Sequence, residues 1–228
     1  VERDAVWHLQ NFNIIEALSP MEMGQLQEMI TTDSIKQRDP VFLSGEPNRW
    51  VYFLKEGVVK LAITSREGRT ITLALLKPGE VFGELTSDDT TEESLEAIAL
   101  EDSYMCRIRS DVFQAYVAER PGLALSLNKL LGLRIQKIQT AIRDLAFLDV
   151  PGRLAKLLHE LSQTHSTREP KGIRIQFRLT HQEIAYLIGA SREMITNVIG
   201  KFEKEGLLIQ EKRRFILPDP NRLKKLYS

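Results

Sequence analysis

Arg192, Glu193, Thr196 and Asn197 are side chains of the types that read base-pair edges. Arginine can donate to guanine O6 and N7 together, glutamate can accept from cytosine N4, and asparagine can pair with adenine. They share one face if a helix begins after Ser191, because Ile195, Val198, Ile199 and Phe202 then recur at helical spacing and point inward. Ser191 is a good N-cap, and with the free amides of that helix start it could hold a phosphate.

Such a helix needs a scaffold, and the preceding residues supply one. Thr180 and Glu183 have the spacing of a capping box. Ile184, Ala185, Leu187 and Ile188 give the helix they start a packed face, and Gly189-Ala190 make a tight turn. This is the arithmetic of a helix–turn–helix, in which the second helix enters the major groove N-terminus first. After Gly206, Leu207 and Ile209 alternate, Lys212-Arg213-Arg214 form a turn, and Phe215-Ile216-Leu217 return. That is a β-hairpin wing with a basic tip placed for phosphates. Thr180, Gln182, Ser191, Arg192, Glu193, Thr196, Asn197, Lys201, Lys212, Arg213 and Arg214 are the candidate DNA contacts. Any one of these elements alone would suit a small packing unit without a nucleic-acid partner; together they point to double-stranded DNA.

Charge supports that division of labour. The 228 residues carry no net charge, yet residues 1–149 sum to −7 and residues 150–228 to +7. A basic C-terminal part attracts polyanions. Upstream of it, Ser19 and Pro20 start a short helix over 18–30. From about 34 to 108 the apolar period is two, with Val51, Phe53, then Val59, Leu61, Ile63, then Ile71, Leu73, Leu75, and further runs ending at Ile108. Glycines at 45, 57, 68, 79 and 83 separate these runs, which suggests an antiparallel barrel or sandwich. Helical spacing resumes at Asp111, with a stop near Pro121-Gly122 and a longer helix to about 148. Its Leu127, Leu131, Arg134, Ile138, Ala141, Leu145 and Leu148 form a heptad seam, which predicts pairing with a second copy, since Arg134 fits a sealed monomer core poorly. Asp149 caps the next helix, and residues 162–172 read as a polar loop.

Composition removes other classes. One cysteine, Cys106, excludes a disulfide framework, a cysteine zinc site and a protein-ligated iron–sulfur cluster. It reads as a buried structural thiol in a reducing cytoplasm. No apolar run approaches the ~18 residues of a membrane span, and no signal-like segment opens the chain. His8, His159, His165 and His181 lack ligand spacing and read as surface residues. No catalytic triad, metal motif or Walker loop is present, so an enzyme is not expected.

Three segments resemble the Crp/Fnr family of bacterial transcription regulators: Pro78-Gly79-Glu80-Val81-Phe82-Gly83-Glu84-Leu85; Leu145 through Val150 with Gly152-Arg153-Leu154; and Ser191-Arg192-Glu193. The resemblance implies an α+β chain with three parts. Residues 1–120 would form a β-roll sensor domain of the cyclic-nucleotide-binding jelly-roll type. Residues 121–149 would be a long dimerisation helix, and 150–228 a winged helix. It further implies a homodimer on a palindromic site and RNA polymerase as a partner, with 162–172 as the candidate contact. By position Arg192 and Glu193 are the base-reading pair, and Asn197 stands where cyclic-AMP-dependent members have a further arginine.

The effector pocket implied by the family comprises Gly83, Glu84, Leu85, Glu93, Ser94, Ile138 and Gln139. There the sequence departs from the cyclic-AMP pattern. Glu93-Ser94, preceded by Glu92, replaces the family's phosphate-binding Arg-Ser pair. Ile138 and Gln139 replace its adenine-binding Thr-Ser. A like charge ~4 Å from the phosphate costs about 4 kcal/mol at an effective dielectric of 20. Tight cyclic-AMP binding is therefore not expected, unless a shifted loop lets Arg107 or another cation serve the phosphate. The rival reading is a small-ligand-binding module acting through protein contacts.

Overall fold

The computed structural model describes residues 18–65, 70–85, 95–164, 166–176, 178–211 and 214–227. The chain divides into two compact units at Lys137/Ile138.

In the first unit, helix α1 (Pro20–Met29) starts at the predicted cap, where Ser19 and Glu22 satisfy each other's backbone amides. Eight strands follow: β1 (Thr31–Ile35), β2 (Pro40–Phe42), β3 (Trp50–Glu56), β4 (Val59–Thr64), β5 (Thr70–Leu76), β6 (Val81–Gly83), β7 (Leu95–Ala99) and β8 (Ser103–Arg109). They form two four-stranded antiparallel sheets, ordered β1-β8-β3-β6 and β2-β7-β4-β5. This is the expected roll. Strand β3 is its spine. Val51 and Phe53 enter one core cluster with Cys106, Ile108 and Phe113, whereas Tyr52 and Leu54 enter the other with Leu76, Phe82 and Met105. Period-two alternation thus feeds two cores from one strand. Phe42, Tyr52 and Phe82 stack in the second core, with ring centroids 5.1–6.4 Å apart. Cys106 is fully buried, and burial pushes its thiol up to about 11, so it stays protonated and inert.

Helices α2 (Ser110–Ala118) and α3 (Pro121–Phe147) follow, separated where Pro121 opens the second. Part of the predicted α3 seam needs correction. Leu127 packs against the first core, and Arg134 donates from Nη2 to the Val81 carbonyl oxygen at 2.8 Å. A buried backbone acceptor of its own unit receives the guanidinium, so Arg134 gives no reason to expect a second chain. The apolar positions left open on α3 include Leu131, Ile135, Ile138, Ile142 and Leu145, which are 38–61% exposed. Their spacing of four and three is again a heptad row, centred about 50° around the helix from Leu127 and Arg134.

The second unit holds the end of α3, then α4 (Val150–Thr164), β9 (Ser166–Glu169), β10 (Gly172–Ile175), α5 (His181–Ile188), α6 (Arg192–Lys204), β11 (Ile209–Glu211), β12 (Arg214–Leu217) and α7 (Pro220–Lys224). Asp149 caps α4 by accepting from the Gly152 amide at 2.8 Å. The expected polar loop at 162–172 is instead the last residues of α4 and a hairpin, with Glu169 paired to Gly172. Ile175 is buried, and ion pairs tie the polar residues of the hairpin strands together. Arg174 lies 2.6 Å from Glu169 and 3.1 Å from Glu211, and Lys171 lies 2.8 Å from Glu211. The resulting sheet has the order β11-β12-β10-β9, so the wing is the edge of a four-stranded sheet.

Candidate nucleic-acid interface

Both helices of the predicted pair start where their caps require. The Thr180 hydroxyl accepts from the Glu183 amide at 3.2 Å, and Glu183 Oε2 accepts from the Thr180 amide at 2.6 Å. Helix α5 ends at Gly189, whose φ of 62° is left-handed, and the Ala190 amide returns to the Ala185 carbonyl at 3.0 Å. Ser191 then caps α6, accepting from the Met194 amide at 3.2 Å. Ile195, Ile199 and Phe202 are buried and Val198 is half-buried. Arg192, Glu193, Thr196, Asn197 and Lys201 are exposed, as the periodicity predicts.

A Cβ on Gly189 would lie 2.9 Å from Leu145 Cδ2, on the last turns of α3. Gly189→Ala therefore meets both a left-handed backbone penalty and a close contact. It should lower stability by ~1–2 kcal/mol, read from urea denaturation. An unchanged midpoint would show that the turn does not need its glycine.

Arg153 fixes the same turn from the other side. Its guanidinium donates to the carbonyl oxygens of Leu148 at 2.6 Å, Ile188 at 2.8 Å and Gly189 at 3.4 Å. One planar fork thus satisfies carbonyls at the ends of α3 and α5. Lys156 of α4 also pairs with Asp144 of α3. No helical or strand period singles out Arg153; its only trace in the sequence was its place beside Gly152 in a family-like segment.

The reading face is chemically ready. Its own backbone amide, the Ser191 hydroxyl and neighbouring Arg192 hold the Glu193 carboxyl below the ordinary carboxylate range, which keeps it an acceptor at neutral pH. Gln182 is half-buried on α5. Two expected contacts are placed differently. Thr196 is exposed, but its hydroxyl is engaged by His181 Nδ1 and by the Arg192 carbonyl oxygen, each at 2.9 Å. Arg214 is half-buried, with Nε shielded from solvent and its charge acting on Glu169. It opens strand β12 rather than standing free at the wing tip. Lys212 and Arg213 lie outside the described residues, as do Glu93 and Ser94.

Of the effector-pocket residues, Gly83, Glu84 and Leu85 close strand β6. Gly83 has φ of 97°, and the Glu84 amide donates to the Trp50 carbonyl oxygen at 2.9 Å. A side chain at Gly83 would run into that same carbonyl. Ile138 and Gln139 are exposed on α3. Arg107, the alternative phosphate partner, is committed elsewhere. It sits 2.9 Å from Asp33 and stacks 4.4 Å above the Trp50 ring. Among the described residues no cluster of His, Cys, Asp and Glu could hold a metal, and no helix is long and apolar enough to cross a membrane.

Comparison with known proteins agrees with this architecture. The cyclic nucleotide-binding domain family matches residues 32–120, and the Crp-like helix-turn-helix domain family matches residues 152–226. A global nitrogen regulator of Synechocystis sp. is 30% identical over 190 residues, covering 82% of this chain and 84% of that protein. A CRP-like cAMP-activated global transcriptional regulator of Mycobacterium tuberculosis is 29% identical over 215 residues, covering 94% of this chain and 96% of that one. Among solved structures, a CooA variant from Carboxydothermus hydrogenoformans matches with a TM-score of 0.77 at 26% identity, covering 96% of this chain and 98% of that one. With a roll, a long helix and a capped helix pair that turns arginine and glutamate outward, the chain belongs to the Crp/Fnr family of DNA-binding transcription regulators.

Proposed function

We propose that the chain works as a cytoplasmic homodimer on a palindromic DNA site, without control by cyclic AMP. The observation that carries the DNA half of this reading is the outward first turn of α6, where Arg192, Glu193 and Asn197 stand exposed on a capped, buried-backed helix. The observation that carries the pairing is the exposed row Leu131, Ile135, Ile138, Ile142 and Leu145 on α3. A sustained apolar stripe on a helix seeks a cover, and a heptad row is self-complementary across a two-fold axis. The two recognition helices would then enter successive major grooves about one turn, ~34 Å, apart. Binding should fall with salt as the basic residues release counterions. By family analogy the β9–β10 hairpin is the surface offered to RNA polymerase. The protein acts by binding rather than turnover, in line with the regulators it is similar to.

Independence from cyclic AMP is supported by charge and by the contacts of Arg107. In sequence Glu93, preceded by Glu92, stands at the position where the family's cyclic-AMP binders keep an arginine. Arg107 is bound to Asp33 and Trp50, so it does not stand ready to replace that arginine. The roll would therefore hold another small ligand or work without one, its output then following its abundance. Calorimetry with cyclic AMP on the full chain tests this reading. No heat of binding is expected at micromolar ligand, and saturable micromolar binding would overturn it.

A further inference from the structure

Thr196 has one hydroxyl hydrogen and gives it to the Arg192 carbonyl oxygen, one turn back along α6, at 2.9 Å. The same oxygen lies 2.9 Å from Nδ1 of His181, the first residue of α5. With the hydroxyl hydrogen committed, the proton of this second contact comes from the ring, so Nδ1 of His181 carries a hydrogen. In the neutral ring Nε2 is then an acceptor, and the Gln210 side-chain nitrogen on β11 lies 3.4 Å away. The result is one directional chain in which the Gln210 amide donates to the ring, the ring to the Thr196 hydroxyl, and the hydroxyl to Arg192. It begins on the wing and ends on the turn that carries Arg192 and Glu193. A second tie runs alongside, because the Gln210 backbone amide donates to Glu203 Oε1 on α6 at 3.3 Å.

We propose that His181 is a positioning residue for base reading. It fixes the wing to the first turn of the recognition helix, so that the phosphate-facing and base-facing groups dock as one body. Thr196 is a link in this chain rather than a reader of bases. The ring suits the task because it presents a donor and an acceptor on separate atoms. Asparagine can imitate the Nδ1–H donor, and glutamine the Nε2 acceptor, but neither imitates both. All these contacts lie within one subunit, so the proposal does not depend on how two chains pair.

The test uses a duplex selected from a random-sequence pool by the unaltered protein, beside a scrambled duplex. His181→Ala should bind the selected duplex about tenfold more weakly, the loss expected for a hydrogen bond or two, and the scrambled duplex unchanged. Its salt slope should also be unchanged. Thr196→Val, an exposed isosteric change that spares the core, should give the same loss of discrimination, and the double variant no more than either alone. His181→Asn, which keeps the donor toward Thr196 but loses the link to Gln210, should recover only part of the discrimination, and full recovery would show that the wing link is not needed. Equal losses on both duplexes with a lower salt slope would make His181 a phosphate contact and overturn the proposal. Additive losses in the double variant, or intact discrimination in Thr196→Val, would overturn it as well.

Discussion

Glutamate at both Ile135 and Ile142 should yield a folded monomer that no longer holds a two-half-site duplex tightly. Both side chains are more than half exposed on α3, at 55% and 61%, and neither belongs to the core of the first unit. Covering an isoleucine side chain contributes ~1.5–3 kcal/mol, so four such residues across a two-fold seam carry much of a dimer's stability. Four glutamates there would also face one another as like charges. Once the pair separates, the second half-site no longer benefits from high effective concentration, and affinity should fall ~10²–10⁴-fold. Sedimentation equilibrium reads the first effect and fluorescence anisotropy the second. A dimer that survives both substitutions would place the interface elsewhere.

Arg192→Ala should produce the second large loss, of a different kind. The guanidinium leaves an exposed face and buries no core, so stability should not change. A bidentate contact to guanine contributes ~1–3 kcal/mol of discrimination, and a dimer makes it twice. The selected duplex should therefore bind about 30-fold to 10⁴-fold more weakly, with base preference relaxed at the matching position of each half-site. Arg213→Ala offers the contrast. If Arg213 meets a phosphate, its loss should weaken all duplexes alike and lower the salt slope by about one per subunit. If the two variants behave alike, Arg192 does not read a base.

Local rules made much of this fold legible before any coordinates. Ser19 with Glu22, Thr180 with Glu183, and Ser191 each start a helix where cap chemistry predicts, because a cap is settled within four residues. The two-residue period gave the roll, since β3 feeds both cores by simple alternation. What stayed hidden depends on distant partners. Periodicity alone cannot say which flank of α3 is covered by its own unit: it puts Arg134 on the open seam although Val81 receives it, and omits Ile135 and Ile142. The 166–175 hairpin was hidden because Glu169, Arg174 and Glu211 stabilise it as ion pairs, and a polar strand reads as a loop. A helical wheel gives the exposed face of α6 but does not reveal that the Thr196 hydroxyl is already engaged. The four scattered histidines carried no spacing signal, so His181 looked like one more surface residue.

The central claim is that Arg192, at the open start of α6, meets guanine in the major groove. Replacing each guanine of the selected duplex in turn with 7-deazaguanine removes one acceptor and nothing else. One position in each half-site, about one helical turn apart, should weaken the unaltered protein, by less than Arg192→Ala does because O6 and the other half-site are untouched, and should not weaken Arg192→Ala further. Losses that add to those of Arg192→Ala at every position, or no sensitive guanine in either half-site, would contradict it.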